Sequence, residues 1–559
     1  MGINTHKWWP LMATLNSNDP STITIVGAGI AGLVCALELL KKGKKVTIID
    51  GQSKEKVGGL AKDAFGGMAL INTPLQTLNG IQDTADLAWQ DWCNFAEFSE
   101  QDEWPKRWAK YYIQHSKSRV YDWVKSIGVN FLPVVNWVER GDYVPGNSVP
   151  RYHVMWGTSK RLVSQTLAAI NKVDANLTWL CDSRVNDIQK NEQGFSLTLQ
   201  QGTHQNQLHT HTLIVASGGI NGNLKKARQH WHTQLSPAPK PLLNGAHPSA
   251  DGHLHDTLTS LGANVTHLEW MWNYAAGIKH PEPEFEHKGL SLIPPKTALW
   301  LDAHGKRIGP QPMVSGFDTH NLCHRVAKLP HQYTWQIMNK KIAEKELAVS
   351  GADINPAIRD RKLFTFIKEI LFGNKRLVKY LTDECEDVLV ADTLDELVVK
   401  MNLHTPDVAV QLKDVKAALK GLDQQLAKGP KFHNDDQLRR LSHLRNWKGD
   451  KLRTCASQPI EDQKAGPLIA IKETIISRKS MGGMQTNLHS QLLDTQSKVM
   501  PNLYVVGEAA GFGGGGISGN RSLEGTFLAG CILTARAAAD HLNQLQTSKE
   551  SSWKKPVHG

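Results

Sequence analysis

The chain contains no run of about 20 apolar residues, the length needed to cross the hydrocarbon core of a bilayer, so no membrane-spanning helix is expected. Its first residues, MGINTHKWWPLMATLNSNDPS, lack the basic start, apolar stretch and small-residue cleavage site of a secretory leader. Seven cysteines (Cys35, Cys93, Cys181, Cys323, Cys385, Cys455 and Cys531) occur without a CxxC pair or any metal-ligand spacing. That scatter argues against a metal site or a disulfide framework and is expected of free thiols in a reducing compartment. Internal repeats and low-complexity linkers are also missing. Together these absences lead us to expect a cytoplasmic, metal-free protein with at most peripheral membrane contact.

The chain is 559 residues long, enough for two or three domains or for one large domain with an insertion. With 40% hydrophobic and 21% charged residues it has an ordinary globular composition. The formal charge of +11 favours anionic ligands or an acidic membrane surface. The basic residues are dispersed, however, and no nucleic-acid partner is expected.

The segment STITIVGAGIAGLVCALELLKKGKKVTIID reads as a β-branched strand (Thr22 to Val26), a glycine turn, an apolar helix (Ile30 to Leu40) and a second strand (Lys45 to Ile49). In GAGIAG, Gly27 permits the tight turn, Gly29 lets backbone approach a pyrophosphate, and Gly32 allows the helix to pack closely on the strand. Ile30 and Ala31 stand at the helix N-terminus, where unpaired N–H groups favour an anion. Asp50, ending the second strand, is placed to bind an adenosine ribose. The motif predicts a dinucleotide but does not separate FAD from NAD.

Residues 177 to 216 alternate as strands do. From about Asn273 to Lys464 the sequence turns to Pro-rich loops and charged helical stretches such as DVKAALKGLDQQLAKG. It then returns to β-branched and glycine-rich sequence at MPNLYVVGEAAGFGGGG, followed by an alanine-rich helix. We therefore expect an α/β protein with a Rossmann-type domain in two segments, 20–272 and 465–545. An inserted capping domain, α+β but mainly helical, spans 273–464, and the ends at 1–19 and 546–559 are flexible. Trp89, Trp92, Trp104, Trp108, Trp123 and Trp137 are expected to be core packing.

A wider set of motifs carries a resemblance. After GAGIAG come Gly58-Gly59 with Leu60, then Gly66-Gly67-Met68, Ala216-Ser217-Gly218 in ASGGINGN, Asp251-Gly252, SMGGMQTN, and the terminal NLYVVGEAAGFGGGGISGNRSLEGT. From about residue 21 to 540 this order resembles the superfamily of FAD-dependent fumarate reductases, succinate dehydrogenase flavoproteins and 3-ketosteroid dehydrogenases. It looks closest to the subgroup of FAD-binding dehydrogenases similar to ketosteroid dehydrogenases.

The resemblance implies FAD, held non-covalently, because no histidine stands near Leu60 where membrane-bound relatives attach the flavin. It implies that Gly507-Glu508 bring a carboxylate to the cofactor and that the glycine loop passes beside the flavin, where a Cβ would collide. A helix beginning near Ser522 and Leu523 would aim its N–H groups at the ring. Arg521 matches the arginine that binds a substrate carboxylate in fumarate reductases, and Lys479 stands where those enzymes have a substrate-binding histidine, with Arg478 adjacent. His320 falls near the position of their proton-donating arginine, with Tyr274 and Tyr333 as alternatives. Ile469 replaces the catalytic tyrosine of ketosteroid dehydrogenases.

The expected activity is the making or reduction of a C=C bond next to a carbonyl or carboxylate, by hydride transfer to or from flavin. A hydrophobic enone or unsaturated acid would be the small-molecule substrate, with a separate electron donor or acceptor. Two alternatives stand beside it: an oxygen-using flavoprotein such as a monooxygenase or oxidase, and a non-catalytic flavin-binding or redox-sensing protein.

Overall fold

Branching at Cβ restricts χ1 and favours extended backbone, and the runs TITIV and KVTII form the first two strands. A computed structural model describes residues 21–553. It places β1 (Thr22–Val26) and β2 (Lys45–Ile49) parallel, from Thr22 opposite Lys45 to Val26 opposite Ile49, with α1 (Ile30–Leu40) crossing between them. Every residue of α1 except Glu38 is buried, as befits a helix covered by both the sheet and another helix. β3 (Leu177–Leu180) pairs with β2, and a three-stranded antiparallel meander over residues 184–210 leads to β4 (Thr212–Val215), which pairs with the other side of β1. The following block contributes β5 (Met271–Lys279), α2 (Thr319–Ala327), β6 (Tyr333–Asn339), α3 (Leu363–Phe372) and β7 (Leu468–Ser480). The chain then returns with β8 (Val499–Val505), parallel to β4, and α4 (Thr526–Trp553), packed along α1. The six-stranded sheet thus runs Gln491–Leu493, β8, β4, β1, β2, β3, and both ends of the chain build it.

The middle block holds the expected helices, but they lie on an eight-stranded sheet. Its spine is the thirteen-residue β7, which pairs with β5, β6, Leu243–Asn244 and Val388–Ala391. β7 falls in the segment after residue 464, yet its partners lie before it. Several of these strands are three to five residues long and buried on both faces, so they carry no period-two signal.

Two large hydrophobic cores result, one around α1 and α4 and one in the cap. Trp92, Trp108 and Trp123 are buried in the first, while Trp89, Trp104 and Trp137 are partly buried. Residues 1–20, with the whole of the expected flexible end 1–19, and 554–559 lie outside the described residues, and α4 carries the chain through residue 546 to Trp553.

Candidate active site

The carboxyl ends of β1, β2 and β4 open into a cleft of about 380 Å³, the place where ligands bind in open parallel sheets. Gly27, Gly29, Ile30 and Ala31 border it at the start of α1, and Asp50 borders it beyond β2. Gly58, Gly59 and Leu60 form one wall; Ala216, Ser217 and Gly218 follow β4 into it; Asp251 and Glu508 complete the predicted cofactor-binding residues that line it. The remaining predicted cofactor-binding positions lie behind this surface. A Cβ on Gly32 would sit 2.0 Å from the carbonyl oxygen of Gly27, one on Gly66 2.5 Å from Ser159 N, and one on Gly67 1.8 Å from the Tyr152 ring. Met68 is fully buried, a Cβ on Gly507 would stand 2.7 Å from that of Ala31, and Ser522 and Leu523 are buried. Val185 and Arg184, on the meander, also border the cleft. Their sequence is an ordinary alternating strand and carries no signal of a ligand.

The cleft suits a dinucleotide. No side chain caps α1, and a Cβ on its N-cap residue Gly29 would meet nothing within 4 Å, so the amino end of the helix faces open space. The Asp50 carboxylate accepts hydrogen bonds from Ala28 N–H (2.6 Å) and Gln52 N–H (2.8 Å), which fixes it at the edge of that space with acceptor capacity left for a hydroxyl.

At the far end of the cleft stand Lys479, Glu508, Phe512, Phe527, Leu528 and Cys531. Lys479 lies at the end of β7, opposite Trp272 of β5, with its ammonium 4.4 Å from the centre of the Phe527 ring. Burial, then the adjacent Arg478, lowers the Lys479 pKa. Burial raises that of Glu508, opposed by the 3.0 Å hydrogen bond that Ser480 N–H donates to its carboxylate.

The helix expected from Ser522 begins instead at Thr526. Gly525, at φ +99°, turns the chain just before it, where a Cβ would stand 2.6 Å from Ala69 N. The glycine loop likewise yields to protein rather than to a ligand. A Cβ on Gly513 would meet the Trp108 ring at 2.8 Å, and one on Gly514 the carbonyl of Trp104 at 2.7 Å.

Beside Lys479, just behind the cleft lining, lies a partly buried polar group. Glu524, in the turn before α4, accepts hydrogen bonds at one carboxylate oxygen from Tyr274 Oη (2.7 Å) and Trp272 Nε1 (2.8 Å). Burial first, and Glu524 second, push the Tyr274 pKa well above its ordinary value, so its hydroxyl stays protonated. Tyr152 is raised in the same way.

The two remaining candidates are placed differently from expectation. Arg521 does not border the cleft; its guanidinium pairs with Glu97 and, 3.2 Å from Nε, with Asp318 at the start of α2. His320, on α2, is buried with its Nε2 3.2 Å from that of His324, and burial with two neighbouring histidines holds it neutral, away from the cleft lining. Tyr333 and Ile469 are buried in the cap sheet, on β6 and β7. Among the described residues no cluster of His, Cys, Asp or Glu could hold a metal ion, all seven cysteines are unpaired, and no helix is long and apolar enough to cross a membrane.

A parallel sheet whose glycine turn leads into a helix, completed by a cap that reaches the same cleft, is the architecture of a dinucleotide-dependent oxidoreductase, and the family match makes the dinucleotide FAD. The chain belongs to the family described as FAD binding domain, which it matches over residues 22–528. It is 37% identical to a KsdD-like steroid dehydrogenase of Mycobacterium tuberculosis over 537 residues, 92% of this chain and 94% of that one. A KsdD-like steroid dehydrogenase of Mycolicibacterium smegmatis is 36% identical over 528 residues, 90% and 96% of the two chains. Among solved structures, 3-ketosteroid Δ1-dehydrogenase from Sterolibacterium denitrificans superimposes with a TM-score of 0.67 at 13% identity, over 94% of this chain and all of that one. A flavocytochrome c3 fumarate reductase gives a TM-score of 0.64 at 17% identity, over 94% and 78%. The protein is an FAD-dependent dehydrogenase or reductase acting on CH–CH groups.

Proposed function

We propose that the enzyme introduces or removes a C=C bond next to the ketone of a steroid-sized, apolar substrate, and that Glu524 moves the proton. The observation that carries this is the double hydrogen bond from Tyr274 and Trp272 to one Glu524 oxygen. It leaves the second oxygen of a half-buried carboxylate for a substrate C–H or its proton. Bound FAD supplies two-electron hydride chemistry at the cleft; the protein holds the cofactor, excludes water and handles the proton. Gly29, Ile30 and Ala31 would hold its pyrophosphate and Asp50 a ribose.

Tyr274 and Trp272 are positioning residues, fixing Glu524 by bonds that tolerate either of its protonation states. Lys479 adds positive charge between the Glu508 carboxylate and the Phe527 face. A dicarboxylate substrate of the fumarate type would need a free arginine fork. Arg521 is already paired with Glu97 and Asp318, which favours the ketone. The names of the two mycobacterial relatives favour it as well. An external electron donor or acceptor completes turnover, and the seven unpaired thiols support a cytoplasmic setting.

The test is Glu524→Gln, which preserves shape and both hydrogen bonds. General acid–base groups are worth about 10²–10⁴-fold, and we expect kcat on a 3-ketosteroid or its unsaturated counterpart to fall by that order while flavin content and spectrum persist. Wild-type kcat in the variant, or turnover of unsaturated dicarboxylates in preference to enones, would refute the assignment.

A further inference from the structure

Among the described residues fifteen large hydrophobic side chains stand exposed, and five of them, Leu363, Phe364, Ile367, Leu371 and Phe372, belong to the ten-residue α3. Phe364 is 88% exposed and Phe372 70%, and no residue of the helix is buried. At 3.6 residues per turn, Leu363, Ile367, Leu371 and Phe364 share an arc of about 100°. On the other side, Phe366 packs against Trp156 (ring centroids 5.5 Å apart), and Lys345 Nζ donates to the carbonyl of Ile370 at 2.8 Å. The helix is therefore held by one face and offers a continuous apolar stripe on the other, more than scattered surface hydrophobics supply.

Charge identifies the occupant of that stripe. From Arg359 to Lys379 there are seven basic side chains against two acidic ones. Asp360 is shared by Arg359 and, at 3.7 Å, Lys362, and Glu369 lies 4.0 Å from Arg376, while Lys368 and Lys375 are exposed. The neighbouring helix Lys448–Arg453 adds exposed Leu452 between Lys451 and Arg453. A second copy docked on this face by a two-fold axis would bring the two basic rims together, a like-charge arrangement that disfavours it.

We propose that α3 docks the protein on an anionic lipid surface, its apolar stripe in the acyl boundary and its basic rim at the lipid phosphates. Ten residues span about 15 Å, too short to cross a bilayer but suited to lying in its plane. The segment that leads into the helix also reaches the cleft wall. Ala352, between the strand Ala348–Ser350 and α3, donates its N–H at 2.8 Å to the carbonyl of Asp63, whose neighbour Ala64 lines the cleft wall.

The FAD-loaded full-length enzyme is sedimented with vesicles of phosphatidylcholine alone and of phosphatidylcholine with phosphatidylglycerol. We expect binding to the anionic vesicles that weakens at high salt. In the combined Phe364→Ser and Leu371→Ser variant, partitioning should fall about tenfold or more, with unchanged flavin content and melting temperature. Equal partitioning of variant and wild type overturns the proposal. So does a wild type that ignores both vesicles but is a dimer the variant breaks, since α3 would then cover a second copy. The readout uses no substrate, so it stands or falls separately from the ketosteroid assignment.

Discussion

Replacing Gly29 with alanine separates the fold of the glycine turn from its function. Gly29 has φ −69° and ψ 175°, values that alanine adopts freely, and its Cβ would meet nothing within 4 Å. Removing a glycine from the unfolded chain stabilises by about 0.4–1 kcal/mol, and alanine is a poorer N-cap than glycine by an amount of similar order. The melting temperature without added FAD should therefore barely move. The new methyl nevertheless occupies the space into which the amino end of α1 opens. A ligand present at 100 times its Kd stabilises by about 2.7 kcal/mol, and Gly29→Ala should forfeit most of that increment, so that added FAD no longer raises its melting temperature. Gly32→Ala is the contrast. Its Cβ would stand 2.0 Å from the Gly27 carbonyl oxygen, and forced overpacking costs about 1–3 kcal/mol with or without FAD. Fluorescence titration with FAD, alongside melting curves with and without it, reads both effects. A Gly29→Ala protein that binds FAD as tightly as wild type would refute the placement of the pyrophosphate at α1.

Two further substitutions probe the charge buried around the site. Burial pushes Glu139 up to about 8, against two hydrogen bonds from Thr319 that favour the carboxylate. The folded protein thus keeps a proton that the unfolded chain releases near its ordinary pKa of about 4.3, and this stabilising contribution is present at low pH and lost as pH rises through about 8. Glu139→Gln removes the dependence, and we expect it to melt above wild type at about pH 9 by a few kcal/mol, with little difference at about pH 4; parallel melting curves across that range would contradict the shift. Arg151 holds Asp83 (2.8 Å) and Asp91 (2.5 Å), all three buried. Arg151→Met strands two carboxylates and should cost about 3–5 kcal/mol in urea unfolding, with kcat per bound flavin unchanged; a loss of turnover without a loss of stability would show that the cluster serves the reaction instead.

What was legible in the sequence was local. β1, the glycine turn, α1 and β2 lie within thirty residues, so the spacing of Gly27, Gly29 and Gly32 carries its own geometry, and Asp50 follows from where β2 ends. The cap sheet was not legible, because β7 takes as partners the distant Leu243–Asn244 and Val388–Ala391, and strands buried on both faces show no alternation. Glu524 stood in a motif that was quoted, yet between Leu523 and Gly525 it reads as an ordinary turn acid. Its partners Trp272 and Tyr274 are 252 and 250 residues away. The ion pairs of Arg521 were illegible for the same reason, since Glu97 and Asp318 reach it from two other parts of the chain.

These long-range contacts bear on how the site is held. Lys479 belongs to the spine of the cap sheet but borders the flavin cleft. The next residue, Ser480, donates its N–H to Glu508 at 3.0 Å and accepts the Ile220 N–H at its hydroxyl at 2.7 Å. The Glu524 carboxylate, from the FAD-binding half, is fixed by Trp272 and Tyr274 on β5 of the cap. Each half therefore contributes a charged group whose orientation depends on the other, and the Glu524 carboxylate proposed to move the proton is held in position only when the two cores are docked. A substitution that loosens the junction without touching either charge, such as Ser480→Ala, which strips the Ile220 N–H of its buried acceptor, should weaken Glu524 chemistry and lysine placement together. Cofactor binding at the distant pyrophosphate end should be spared, because Gly29 and Asp50 draw their geometry from β1, α1, β2, β3 and the Gly58 turn, all within the FAD-binding half.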